Sequence, residues 1–224
     1  MSKVKGVIFD FNGTLFWDSL LHEKAWKEFA LKYAGKHLTS EDFKHSIHGR
    51  INRDILRYVF EKTITDDEVV HYSDEKESLY RSYLIKDRNL LELAPGANEM
   101  LDYLKAMNIP MTIATSAETS NVNFYVKELS LSKWFEFSKI VYDDGTIVPK
   151  PAPDIFLKAA SNLKLKPSEC IVVEDLMTGI MAAKNAGIGT ILLIENKESA
   201  DHSKVKEWID GRISNLLELK EFIG

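Results

Sequence analysis

A single cysteine, Cys170, stands in 224 residues, so no internal disulfide can staple this chain. It opens the apolar run "CIVVED" and reads as a small buried hydrophobe; a reducing, cytoplasmic setting is expected. No apolar run approaches the ~18 residues that a membrane span requires, so no membrane partner is expected. The first residues, "MSKVKGVIFDF", are too few and are broken by Asp10, which predicts no signal peptide. Positive charge is scarce. The chain has 29 Lys and Arg against 34 Asp and Glu, a net charge of -5, and no basic block stands out, which argues against a nucleic-acid surface. Internal repeats and low-complexity stretches are lacking too. What remains is a globular composition, 45% hydrophobic and 28% charged, long enough for one α/β unit or a core with a small insert.

Four short β-branched or apolar runs recur: "KGVIFD" (5–10), "PMTIAT" (110–115), "CIVVED" (170–175) and "IGTILLI" (188–194). Each has the length of a fully buried strand. A weaker run, "FSKIVYDDG" (137–145), adds a candidate strand. Between them lie amphipathic stretches, 96–108, 154–163 and 178–187, with Gly187 as a helix stop. Alternating strands and helices imply parallel strands joined by right-handed crossovers, hence an α/β fold with a doubly wound, Rossmann-like sheet. Residues 18–88 break this rhythm. They carry helical patterns and no β-run, which predicts an all-helical domain inserted between core segments 1–17 and 89–224. Its acidic stretch "TDDEVVHYSDEKE" reads as a solvated helix face. The tail reads as two helices around a short strand.

In a parallel α/β sheet, ligands bind beyond the carboxyl ends of the strands. The polar residues expected there are Asp10, Thr115 with Ser116, and Glu174 with Asp175, and Lys150 in "VPKPAPD" can reach the same edge. Taken singly, each has an ordinary alternative. Asp10 could be a turn residue, Lys150 a solvated loop lysine, and Glu174-Asp175 a helix cap. Together, each at its own strand terminus, they point to chemistry. Crowded carboxylates repel one another and are tolerated when a hard cation joins them. Several carboxylates, one lysine and hydroxyl donors suit Mg²⁺ and a phosphoryl group.

The same stretches resemble a known family. "DFNGT" is similar to the DxDGT signature of the haloacid dehalogenase-like hydrolases. "IATS" resembles their second motif, "KPAPDIF" their third and "VVEDLMTGIMAAKNAG" their fourth. The helical insert resembles the cap of the β-phosphoglucomutase-like branch. His22 and Trp26 in "LHEKAW", Gly49 in "IHGRINRDIL", and Lys76 with Tyr80 in "EKESLY" match patterns there, and Arg50 lies near the position of a cap arginine. The resemblance implies a Mg²⁺-dependent phosphohydrolase of small phosphorylated metabolites; a monomer is expected. Asp10 would be the nucleophile that becomes an aspartyl phosphate. Asp10, the Asn12 carbonyl and Asp175 would hold Mg²⁺, with Glu174 acting directly or through water. Thr115 would bind a phosphoryl oxygen, Lys150 would offset charge, and Gly13 would allow close backbone approach. Ser116, His22, Trp26, Arg50 and Lys76 are the candidate substrate contacts. Cap opening and closing, hinged near 16–18 and 86–95, is expected to gate the site.

One position departs from the family pattern. Its second Asp, the general acid and base, is Asn12 here. An amide keeps the shape and the carbonyl but loses the proton, at a typical cost of ~10²–10⁴ in rate. Three outcomes are open. Hydrolysis continues slowly, least impaired for leaving groups that need little protonation, such as acyl phosphates. Alternatively His22, or less well Asp18, supplies the proton. Or turnover is lost and the protein binds a phosphorylated ligand. A sugar phosphomutase is the enzymatic alternative. Asn12-Gly13 is also a sequence prone to deamidation, which would convert position 12 to an acid.

Overall fold

The computed structural model describes residues 4–195 and 203–223. The chain forms two compact units. One is built from the segments up to Trp17 and from Glu92 onward, and the other is Asp18–Leu91. The return crossing lies three residues later than the sequence reading placed it. The helical chain does not stop at 88, because Arg88–Leu90 add a 3₁₀ turn after the last long helix, with the Asp87 side chain accepting from the Asn89 N–H.

The chain starts with β1 (Gly6–Phe9), every residue of which is buried. The helical unit follows: α1 (Ser19–Ala34), α2 (Ser40–Asp42) continuing into a π-helical turn at Phe43–Ile47, α3 (Asn52–Phe60) and α4 (Asp66–Lys86). Gly35, at φ 61, closes α1 in the left-handed conformation that glycine adopts without strain. Thr65 opens α4 with a reciprocal cap. Its hydroxyl accepts from the Glu68 N–H at 3.2 Å, and the Glu68 carboxylate accepts from the Thr65 N–H at 2.9 Å. Three acids in that first turn also oppose the helix dipole. A core of its own, including Trp26, Phe29, Phe43, Leu56 and Val59, holds this unit together. The acidic stretch 65–77 is not simply a solvated face. Ser73, Lys76, Glu77, Tyr80 and Leu84 are all buried, because positions three and four apart share one side of α4.

The second unit continues with α5 (Ala97–Ala106), β2 (Met111–Glu118), α6 (Thr119–Glu128), β3 (Val141–Asp143), α7 (Asp154–Asn162), β4 (Cys170–Glu174), α8 (Met177–Asn185), β5 (Thr190–Ile194) and β6 (Gly211–Ile213). The strands form one sheet in the order β3-β2-β1-β4-β5-β6, and every neighbouring pair is parallel. The sheet is therefore doubly wound, with β1 at the point where the strand order reverses. β1 and β4 sit at its centre in register, Val7 opposite Ile171 and Phe9 opposite Val173. Both are buried along their whole length, which is why neither alternates in polarity. Gly187, at φ 72, follows α8 and turns the chain toward β5. The tail is a 3₁₀ helix (Ser203–Trp208), β6 and a second 3₁₀ helix (Leu216–Phe222). β2 runs three residues beyond Thr115, where the sequence reading ended it. Pairing with β3 carries it on to Glu118, with an irregularity between Ala114 and Glu118. Among the described residues no helix is long and apolar enough to cross a membrane.

Candidate active site

Asp10 follows β1 directly, and its N–H donates to the Val173 carbonyl of β4 at 3.0 Å. The chain then turns tightly. Gly13 N–H donates to Phe16 O at 2.7 Å, and Thr14 and Phe16 N–H both donate to Phe11 O. Gly13 has φ 83, and a Cβ built on it would lie 2.0 Å from the Asp175 carboxylate. Any side chain at 13 would displace that acid, so the glycine is needed for conformation and for space. The turn brings Thr14 Oγ1 to 3.4 Å from Asp175 Oδ1.

Glu174 and Asp175 leave β4 side by side with Asp10. The three carboxylates are buried, and one ligand atom from each lies within 4.8 Å of the others. Lys150 reaches them from the loop before α7. Its Nζ donates to Asp10 Oδ1 and to Glu174 Oε1, each at 2.6 Å, and to the Ala114 carbonyl at 3.3 Å. The second Glu174 oxygen accepts from the backbone N–H groups of Asp175 and Leu176, at 2.9 and 3.0 Å. Leu176 thus contributes through its main chain. Glu174 is shaped from behind as well. A Cβ on Gly179, in the first turn of α8, would lie 1.7 Å from Glu174 Oε1.

One ammonium does not balance three carboxylates, and the proton affinities register the deficit. Burial pushes the Asp10 carboxyl up to about 7 against the pull of Lys150. Burial also raises Asp175 well above the usual carboxylate range, and the charges of Glu174 and Asp10 raise it further. Burial draws Lys150 down, but Asp10 and Glu174 outweigh it and raise the ammonium above its ordinary value. Buried carboxylates short of positive charge are the donor set of a hard divalent cation. Asp10, Asp175 and Glu174 therefore fit a metal site. The two Glu174 oxygens already hold hydrogen bonds, which leaves it the least direct ligand of the three.

Asn12 and Thr115 stand beside this cluster. The Asn12 amide N–H donates to the Tyr125 hydroxyl at 3.0 Å, and its carbonyl accepts from Thr115 Oγ1 at 3.4 Å. Thr115 Oγ1 in turn accepts from the Ala117 N–H at 3.1 Å. Tyr125, on α6, is buried with its ring 4.7 Å from that of Phe11. Ser116 is exposed next to Thr115, and among the described residues no hydrogen bond ties its side chain to the cluster.

The remaining candidates lie in the helical unit. Lys76 Nζ donates to Glu77 Oε1 at 2.8 Å and to His22 Nδ1 at 2.7 Å, and it lies over the rings of Trp26 and Tyr80. An ammonium only donates, so His22 Nδ1 accepts and the proton sits on Nε2, 3.3 Å from Asp18 Oδ2. Tyr80 stacks on His22 at 3.8 Å and donates to that same Asp18 oxygen. Asn52 donates to Glu77 Oε1 at 2.9 Å. Burial would raise Glu77, but Lys76 and the hydrogen bonds prevail and hold it at about 2. His22, Trp26 and Lys76 thus belong to one network, and both His22 nitrogens and Asp18 are engaged within it. Arg50 stands apart, exposed, with Nη2 3.3 Å from the His45 carbonyl. Sequence reasoning missed Tyr125 and the roles of Thr14, Gly179 and Glu77, and it marked Asn52 only as the residue at the position of the cap arginine. Thr14, Asn52, Glu77 and Gly179 all lie inside the quoted motifs; nothing marks Tyr125 in a helix with other aromatic residues.

The model of the haloacid dehalogenase-like hydrolases matches residues 4–187. The chain is 31% identical over 192 residues to the phosphorylated carbohydrates phosphatase of Thermotoga maritima, covering 84% of each. It is 30% identical over 187 residues to the bifunctional riboflavin kinase/FMN phosphatase of Arabidopsis thaliana; 83% of the chain spans 47% of that longer protein. A HAD hydrolase of family IA, variant 3, from Entamoeba histolytica superimposes with a TM-score of 0.89 at 37% identity over 98% of both chains. With the motifs, the sheet order and the buried carboxylates all in agreement with these matches, the chain belongs to the haloacid dehalogenase-like hydrolases.

Proposed function

We propose that this protein is a Mg²⁺-dependent phosphohydrolase of small phosphorylated metabolites, sugar phosphates among them, working through an aspartyl phosphate on Asp10. The observation that carries the reading is the buried group of Asp10, Lys150, Glu174 and Asp175, with its 2.6 Å contacts from Lys150. Asp10 is the nucleophile: a carboxylate oxygen attacks phosphorus, and the bond from phosphorus to the leaving oxygen breaks. Lys150 fixes the carboxylate through Oδ1 and offsets charge as the phosphate approaches. Asp10 and Asp175 would hold Mg²⁺, with Glu174 behind them. When bound, the ion neutralises the acids and polarises the phosphoryl oxygens. Thr115, whose Oγ1 accepts from the Ala117 N–H, would turn its one proton from the Asn12 carbonyl to a phosphoryl oxygen. Asn12 slows departure of alkoxide leaving groups because its amide has no proton to give.

The activities of the relatives, a phosphorylated carbohydrates phosphatase and a riboflavin kinase/FMN phosphatase, support this class of reaction. A phosphomutase is disfavoured, because it must deprotonate a sugar hydroxyl and an amide does not. The test is phosphate release from a panel of sugar phosphates, acyl phosphates and aryl phosphates, with Mg²⁺ and with EDTA, beside Asp10→Asn. Release that needs Mg²⁺ and disappears in the variant is expected. A parent inert on every compound defeats the proposal.

A further inference from the structure

We infer that the site selects phosphoryl donors by the acidity of the leaving group. Acyl phosphates, and aryl phosphates of acidic phenols, are its efficient substrates, and alkyl phosphate esters its poor ones. The inference rests on the hydrolase reading above and narrows its substrate class. It starts from how Asn12 is held. The amide N–H is turned onto the Tyr125 hydroxyl at 3.0 Å, and the carbonyl onto Thr115 at 3.4 Å. Tyr125 is itself buried against Phe11 and Phe16, with ring separations of 4.7 and 5.9 Å. The loop beneath is fixed by the 2.7 Å bond from Gly13 N–H to Phe16 O. That bond also occupies the nitrogen that would have to attack the Asn12 side chain to start deamidation, so the fold keeps residue 12 an amide.

The other side chains that could give a proton are engaged: in the reading above Asp10 would be bonded to phosphorus and Asp175 would be taken up by the cation. Lys150 gives its protons to Asp10, Glu174 and the Ala114 carbonyl. Glu174 accepts through both oxygens, from Lys150 and from two backbone N–H groups. His22 and Asp18 are committed to Lys76, Tyr80 and each other inside the helical unit.

The balance of the reaction then decides the substrate. In the first step Asp10 oxygen bonds to phosphorus and the leaving oxygen departs with the electron pair, unprotonated. In the second step water attacks phosphorus, its proton passes to the phosphate product, and the Asp10 carboxylate leaves. Only the first step needs a proton, and only when the departing anion is unstable. Carboxylic acids ionise near ~4 and phenols near ~10, whereas an alkoxide resembles hydroxide, whose parent water ionises near ~16. A site without a general acid therefore loses rate steeply along that series.

The experiment is a plot of log kcat/KM against leaving-group pKa for acetyl phosphate, a series of substituted phenyl phosphates, and glycerol and glucose phosphates. It is run with Mg²⁺ on the parent, Asn12→Asp, Tyr125→Phe and Asp10→Asn. The parent is expected to fall steeply along the series. Asn12→Asp should flatten the line, gaining ~10²–10⁴-fold on the alkyl esters and less than about tenfold on acetyl phosphate. Tyr125→Phe should leave the slope as in the parent. A parent slope as flat as that of Asn12→Asp overturns the inference alone, since another group would then be giving the proton. A steeper line in Tyr125→Phe also overturns it, by making Tyr125 the acid. A parent inert on every compound, or activity that survives in Asp10→Asn, overturns both this inference and the hydrolase reading.

Discussion

Two buried ionic clusters, one in each unit, answer the same electrostatic problem in opposite ways. In the helical unit Glu77 meets Lys76 and Asn52, and Asp18 meets His22 and Tyr80. One ammonium, Lys76, serves the network, the neutral donors Asn52, His22 and Tyr80 complete the two carboxylates, and Glu77 is held at about 2. In the α/β unit three carboxylates share one ammonium, and Asp10 is pushed up to about 7 while Asp175 is raised well above its ordinary range. Burial opposes ionisation in both units, so burial does not distinguish them. The number of carboxylates that share one ammonium, and the neutral donors that surround them, do. The helical network has two acids and several donors of its own, whereas the α/β cluster has three acids and is left short of positive charge.

Removing the proposed nucleophile should have the largest consequence. Asp10→Asn should lower phosphate release by roughly 10⁴-fold or more in steady-state assays, while far-ultraviolet circular dichroism stays as in the parent. In the helical unit, Glu77→Ala leaves Lys76 buried without its partner and should cost ~3–5 kcal/mol in urea denaturation. Replacing both, as Lys76→Met with Glu77→Leu, should recover most of that loss. The same network predicts an acid limit. Glu77 has a folded pKa of about 2 against an ordinary 4.5, so its stabilisation is complete above 4.5 and is lost as the pH falls through about 2. In a denaturation series across that window, Glu77→Gln should weaken the dependence of stability on pH.

Smaller effects sharpen the contrast. Gly179→Ala puts a methyl group where Glu174 Oε1 lies 1.7 Å away. It should weaken Mg²⁺ binding ~10–100-fold by calorimetry, through displacement of a residue that orients the ligands. Asp175→Asn removes a carboxyl whose ionisation burial, Glu174 and Asp10 all oppose. It should raise the metal-free melting temperature by a few degrees, about 1 kcal/mol, and abolish the further rise on adding Mg²⁺. A loss of metal-free stability similar to that of Glu77→Ala would mean that the two clusters are of one kind.

Much of this was legible in the chain. The central strands could be read because β1 and β4 are buried on both faces, which demands uninterrupted apolar runs in "VIF" and "CIVV". The acids at their ends could be read because each closes such a run. Ser116 and Arg50 did not join either cluster, since sequence proximity to a motif does not say which way a side chain turns. The stretch 65–77 misled for a related reason. Its composition is that of a solvated surface, yet Ser73, Lys76 and Glu77 share the buried side of α4. Tyr125 was not legible at all, because its hydroxyl meets Asn12 across 113 positions of chain.

The sequence alone determined the layer architecture, the inserted helical unit and the acids that gather at the sheet's edge. These follow from local patterns: run length, helical period, and polar residues at strand ends. It also determined that residue 12 has no proton to give, since that is a property of the amide itself. The tertiary structure decided which charges balance. It paired Lys76 with Glu77 and His22 with Asp18, set one Lys150 between Asp10 and Glu174, and turned the Asn12 amide onto Tyr125. Such pairings depend on distances of about 3 Å between groups far apart in the chain, and only the folded packing sets those distances.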